Sequence, residues 1–315
     1  MGLMGASILS YLCFVPIDIP GEARTFTIRQ GSSLHEVARQ LSARGIIHDP
    51  WSFLILARIR TDAGNIKAGA YSVESRSTSA AILTKITRGD FSRTEIRVTE
   101  GWTFRQMRHE LDQNPSLRHD TLGISDRELM AQIDPAVTHP EGMFFPATYF
   151  FAAGTSDLTI LRQAYQAMQS RLNTLWRKRR PGLPLASPYE ALILASIVEK
   201  ETGRESDRAM IASVLVNRLK RGMRLQSDPT VIYGMGLAFD GNLRKQDLLA
   251  DQKYNSYTRA GLPPTPIALP GEAALAAAMN PELSKALYFV ARGDGSSVFS
   301  QTLDEHNHAV NKYQK

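Results

Sequence analysis

The chain is nearly devoid of cysteine: Cys13 is alone among 315 residues. This excludes an intrachain disulfide, a CxxC redox pair and a thiolate metal cluster, though not an oxidising compartment, where many proteins lack disulfides. Dense Lys/Arg clusters interleaved with aromatics are also missing. The nearest approach, Trp176-Arg-Lys-Arg-Arg180, reads as a helix end running into a solvated loop at Pro181-Gly182, and no nucleic-acid partner is expected. Gly293-Asp-Gly295 lacks the Lys-Ser/Thr that a phosphate loop requires and reads as a hairpin turn. His306 and His308 are two apart, so on a helix they point in different directions and make a poor metal pair. There is no repeat at solenoid period and no low-complexity tract. Neither a metal nor a cofactor is expected.

The charged fraction of 22% and hydrophobic fraction of 43% are those of a globular protein, with enough chain for two domains. A net charge of +6 suits an acidic polymer or an anionic membrane surface. The first residues are apolar from Met1 to Ile17, interrupted by Ser7, Ser10 and Tyr11; roughly 17 residues is the short end of what spans a bilayer. A cleaved signal peptide is the rival reading, but a basic n-region and a small-x-small cleavage site are both missing. The expectation is a single N-terminal anchor over residues 1–17.

Beyond it, Thr25–Arg29 alternates as a strand and Ser33 caps a helical run with Leu34, Val37, Ala38 and Leu41 inward. Asp49-Pro50 starts a helix. Ala68–Val73 reads as a second strand, and Thr78 or Ser79 opens a helix that ends at Gly89. Two short strand–helix units in about 70 residues suggest a small α+β module. A strand at Arg93–Val98 and helices around Thr103–Leu111, Asp126–Ile133 and Leu158–Arg177 follow. Glu141-Gly-Met-Phe-Phe-Pro-Ala-Thr-Tyr-Phe-Phe151 interrupts them and admits two readings, a core-lining loop or an aromatic wall against which a sugar ring packs. Near the C-terminus, Leu287–Val290 and Val298–Ser300 read as hairpin strands, with a final helix from Leu303.

The chemistry concentrates on Ala191–Thr202. Ser187-Pro188 is a helix start, and no Pro or Gly interrupts the run that follows. Glu201 falls on a face built by Ile193, Leu194, Ile197 and Val198. Burial disfavours the anion there, so its pKa should rise, as a general acid requires. Glu199 is about 200° away round the helix and cannot share that role. The bland alternative pairs Glu201 with Arg204 at i,i+3. Ser196 and Lys200 at i,i+4 echo a Ser–Lys dyad, a weak signal on one helix. Gln226, Ser227 and Asp228 are the first choices for holding a substrate's polar groups, followed by Tyr233, Tyr254 and Asn255. Ser227-Asp228-Pro229 could equally make a turn.

Ala195-Ser-Ile-Val-Glu-Lys-Glu-Thr202, Val216-Asn-Arg-Leu219, Met223–Gly234, Tyr254-Asn-Ser-Tyr257 and Gly261-Leu-Pro-Pro264 together resemble the endolytic murein transglycosylases of the YceG-like family. Glu141-Gly-Met-Phe-Phe-Pro146 resembles the same family's Glu-Gly-aromatic-Pro segment, with Ala147 where an Asp is common. The resemblance implies an α+β protein in three parts: a membrane anchor (1–17), a LysM-like α+β subdomain (24–92) and a mixed α+β catalytic domain (93–315). It places the protein in the inner membrane as a single-pass protein with the catalytic domain in the periplasm. Its substrate would be peptidoglycan glycan strands, with peptidoglycan synthases as partners that the sequence does not specify. It implies that Glu201 is the catalytic carboxyl. The reaction implied cleaves the MurNAc–GlcNAc bond within strands and leaves 1,6-anhydro-MurNAc ends, terminating strand elongation. The non-enzymatic alternative is a membrane-anchored peptidoglycan-binding scaffold.

Overall fold

The computed structural model describes residues 15–17, 23–28, 31–60, 65–74, 76–90 and 93–314. The expected anchor lies outside these residues except at its end, where Ile17 is buried and exchanges backbone hydrogen bonds with the Arg76–Ser77 turn. Among the described residues no helix is long and apolar enough to cross a membrane.

The chain divides into two compact units. In the first, β1 (Ala23–Ile28) is followed by α1 (Leu34–Ala43), α2 (Pro50–Ile59), β2 (Gly69–Glu74) and α3 (Ser79–Arg88). β1 and β2 pair antiparallel with Phe26 opposite Tyr71, and these two rings stack at 5.5 Å. Helix starts follow from local chemistry. Ser33 and Glu36 form a reciprocal capping box on α1, while Asp49 accepts from Ser52 N ahead of Pro50 on α2. Gly89, in the left-handed region at φ 74°, closes α3.

β3 (Arg93–Arg97) leads into α4 (Phe104–Gln113), β4 (Leu117–Arg118) and α5 (Asp126–Ile133), and then β5 (Thr148–Ala152) pairs with β3. β6 (Thr155–Ser156) lies parallel to β4, within the first unit. The second unit holds the long α6 (Asp157–Arg177), α7 (Pro188–Glu201), α8 (Glu205–Lys220), α9 (Asp228–Met235), the short α10 (Lys245–Leu249) and α11 (Glu272–Met279). A hairpin of β7 (Tyr288–Ala291) and β8 (Ser297–Ser300) and then α12 (Leu303–Tyr313) complete it.

Helix α7 is the centre of this unit: all eight residues from Ala191 to Val198 are buried. A helix apolar on every side has neighbours on every side. α8, α9 and α6 pack on it, and α11 packs on α6, α7 and α8 together. The sequence Glu272-Ala-Ala-Leu-Ala-Ala-Ala-Met279 explains that close approach, since small side chains keep helix axes near one another. Neither α9 nor α11 was expected from periodicity. The aromatic segment resolves in favour of the core: Phe144 stacks on Phe104 at 5.0 Å and meets Tyr165 edge-on, while Met143, Phe145 and Tyr149 are buried. Phe150 is the segment's exposed ring.

Asp157 opens α6 fully buried, accepting from the backbone N–H of Asp120, Thr121 and Leu158 and from the Thr121 hydroxyl at 2.7–3.1 Å. Removing this acceptor strands three N–H donors at once. Asp157→Ala should therefore cost roughly 3 kcal/mol in urea denaturation at unchanged m-value, and Thr121→Val, which removes one partner, about 1 kcal/mol.

Candidate active site

Helix α7 begins as expected, with the Ser187 hydroxyl accepting from Glu190 N and Pro188 in the first turn. It ends on Glu201, because Thr202 is extended and α8 starts at Glu205. Glu201 thus sits at the helix C-terminus, where the last carbonyls present partial negative charge. Burial pushes its carboxyl up to about 7; the Ser227 hydroxyl and Arg218 pull it down, and Asp228 pushes it further up. Ser227 Oγ donates to Glu201 Oε1 at 2.5 Å. No ion pair joins Glu201 to Arg204 among the described residues.

Ser227 is the N-cap of α9, yet its hydroxyl makes no capping bond. A serine at this position normally accepts from the N2 or N3 amide; here the hydroxyl is committed to Glu201 instead. The cost falls on the neighbouring loop. Ser256 Oγ accepts from Ser227 N at 2.9 Å, Ser256 O accepts from Gln226 N at 3.1 Å, and Thr230 Oγ1 donates to Ser227 O at 2.6 Å. Gln226 has φ 50°, a left-handed conformation rare outside glycine, and its side chain is exposed. Asp228 accepts from the Tyr257 hydroxyl at 2.6 Å.

The other sequence candidates divide. Tyr233 is part-buried and donates to Glu141 Oε2 at 3.0 Å, with its ring edge-on to Tyr254 at 4.8 Å. Tyr254 is buried and its hydroxyl bonds Thr265 at 2.9 Å, so it braces the proline-rich loop. Asn255, the last of the second choices, has a structural placement. It is fully buried and its amide donates to the carbonyls of Asp247, Leu248 and Ala250, leaving it no donor for a sugar. Nor do Ser196 and Lys200 form a dyad. Ser196 Oγ donates to Ile193 O and accepts from Ile267 N, and Lys200 Nζ donates to Gly101 O. Glu199 accepts from Gly271 N at 3.0 Å and lies 3.8 Å from Arg208, an architectural placement.

Sequence reasoning missed Glu141 and Arg218. Glu141, 5% exposed, accepts from Phe104 N at 2.9 Å and from Tyr233. Its burial outweighs these bonds and pushes its carboxyl up to about 7. The Glu141-Gly142 pair was the available signal in the sequence; in the structure Gly142 adopts φ 79° and abuts Pro266.

The second unit is thus an α+β body with a desolvated carboxyl at the end of its central helix, held by a serine hydroxyl from a facing helix. The chain belongs to the YceG-like family, which matches residues 26–312. It is 33% identical over 311 residues to a Bacillus subtilis (strain 168) protein named endolytic murein transglycosylase, covering 91% of this chain and 83% of that protein. A Streptococcus pneumoniae (strain D39) protein of the same name is 25% identical over 330 residues; the match spans 94% of this chain and 59% of the relative. The crystal structure of a YceG-like protein from Listeria monocytogenes aligns with TM-score 0.56 at 29% identity, covering 91% of this chain and 98% of that one.

Glu141 binds its proton more tightly in the folded state than in the unfolded one. The stability it confers is therefore complete below the unfolded value of 4.5 and is lost as pH rises through about 7. The difference in unfolding free energy between the wild type and Glu141→Gln should shift by on the order of 3 kcal/mol between pH 4 and pH 8. A pH-independent difference in denaturant titrations would refute a protonated Glu141.

Proposed function

We propose that this protein is a lytic transglycosylase that cuts peptidoglycan within glycan strands. The observation that carries the reading is Glu201: a carboxyl pushed up to about 7, fixed through Oε1 by Ser227, with no hydrogen-bond partner for Oε2 among the described residues. The names of the Bacillus and Streptococcus relatives support the substrate class.

Protonated Glu201 donates to the oxygen linking MurNAc C1 to the next sugar, the C1–O bond breaks, and an oxocarbenium-like ring remains. Glu201, now ionised, accepts the proton of the same sugar's C6 hydroxyl as O6 bonds to C1. One bond forms for the one broken, the proton passes through a single carboxyl, and no water is consumed. Glycosidases that hydrolyse pair two carboxylates. Here the carboxylate whose charge reaches Glu201, Asp228, is engaged by Tyr257. An intramolecular hydroxyl has an effective molarity high enough to replace a second protein nucleophile. In this reading Gln226 and Asp228, both exposed, meet the sugar, and Ser227 and Tyr233 act from behind them.

The wider reading has the Met1–Ile17 stretch anchoring the chain as a single-pass inner-membrane protein, on the strength of its apolar composition. Residues 24–92 form a LysM-like subdomain and residues 93–315 the periplasmic catalytic domain. Cutting nascent strands there would end their elongation beside a synthase partner.

Glu201→Gln should abolish release of anhydro-ended fragments from sacculi, by at least about 100-fold, while leaving the unfolding transition intact. Wild-type activity should fall as pH rises through about 7, where Glu201 loses its proton. Mass spectrometry of the digest decides. Reducing ends would indicate hydrolysis, retention of sacculi without release would indicate a scaffold, and anhydro ends from Glu201→Gln would end the assignment.

A further inference from the structure

Arg218 is a buried cation whose hydrogen-bond partners are all neutral. It is 6% exposed, yet Nε donates to Leu287 O at 2.7 Å and Nη1 to Leu225 O at 2.6 Å. Its guanidinium stands 5.4 Å from the centre of the Tyr288 ring. No carboxylate lies within ion-pair distance of it among the described residues. A buried charge without a counter-ion is costly, and two carbonyls and one ring face offset only part of that cost.

Its position gives the charge a use. Leu225 O immediately precedes the strained Gln226 and then Ser227, so one arm of the guanidinium grips the turn that aims the Ser227 hydroxyl at Glu201. We propose that Arg218 is a positioning residue for the acid–base cycle, clamping the Leu225–Ser227 turn and supplying the positive charge against which Glu201 holds its anion once its proton has gone. This rests on the proposed transglycosylase reading. While Glu201 holds its proton, every partner of Arg218 is neutral; once that proton has gone, the guanidinium faces an anion whose charge it offsets.

The other groups facing this pair are few. From α9 come Ser227 and Asp228, the latter opposing Arg218's effect on Glu201. Tyr257 holds Asp228 and stays neutral, its hydroxyl pushed well above its usual range by burial and by Asp228. On the far side, β7 supplies Tyr288 and α12 supplies His306, stacked on Tyr288 at 5.2 Å and held below its usual value by burial and by Arg218.

The full-length protein carrying Arg218→Gln or Arg218→Lys should be assayed for anhydro-muropeptide release across pH. Gln removes the charge, so the alkaline limb should move up by about one pH unit and kcat should fall at least about tenfold. Lys keeps the charge but cannot grip two carbonyls, so the limb should stay and kcat should fall at unchanged KM. Equal losses in both variants with an unmoved limb would mean a structural role only and overturn the proposal. A measurement on native arginine covers failure of either variant to fold. In 13C/15N-labelled wild type, the Arg218 Nε and Cζ resonances should titrate at the Glu201 carboxyl midpoint, and this step should vanish in Glu201→Gln. A flat Arg218 response in the wild type overturns the coupling. If wild type itself releases no anhydro product, the transglycosylase reading fails instead, and the resonance titration still reports on the pair.

Discussion

Everything at this site follows from putting a carboxyl at the end of a helix that has no solvent-facing side. The α7 stretch from Ala191 to Val198 is buried throughout, so Glu201 emerges from the core with little water and with the negative end of the helix behind it. Both effects oppose the anion. The carboxyl is pushed up to about 7 chiefly because burial disfavours the anion, with the charge of Asp228 adding a smaller push in the same direction.

Holding that carboxyl in one orientation draws in a second helix. Ser227 gives up the capping bond that its position invites, and Gln226 takes a backbone conformation that residues with a Cβ avoid. Both departures are tolerable because Ser256 and Thr230 satisfy the backbone around them. The Pro-rich loop is tied in as well, through Ile267 N to Ser196 on α7 and through Thr265 to Tyr254. Two departures from local preference thus fall on consecutive residues, Gln226 and Ser227, at the contact with Glu201.

Much of the fold was legible because its signals are local. Ser33, Asp49, Thr78, Ser187 and Thr302 all cap helices by accepting a backbone N–H. The helix at Glu272–Met279 was not, because an alanine-rich segment carries no apolar–polar alternation to read. The placement of Asn255 was illegible for a related reason: an amide that recognises a sugar and one that closes a loop on three carbonyls have the same spelling. Even the argument for Glu201 was incomplete. In α7 every face is apolar, and burial raises Glu199 as it does Glu201. What separates them is their partners: Glu199 takes a backbone N–H and lies near Arg208, while Glu201 takes a hydroxyl from a facing helix.

Glu141 makes the same point from the other direction. It and Glu201 are both pushed up to about 7 by burial, so a raised pKa cannot by itself mark the catalytic group. Glu141 has Phe104 N on one oxygen and the Tyr233 hydroxyl on the other, and at 5% exposure neither oxygen is open to a ligand. Glu201 is held through Oε1 alone. A carboxyl that must give a proton and then take one needs one oxygen fixed and one open, and of these two desolvated carboxyls Glu201 is the one with that arrangement. The tie from Glu141 to Tyr233 on α9 bears on Glu201 indirectly, because Ser227, the N-cap of α9, donates to Glu201 Oε1.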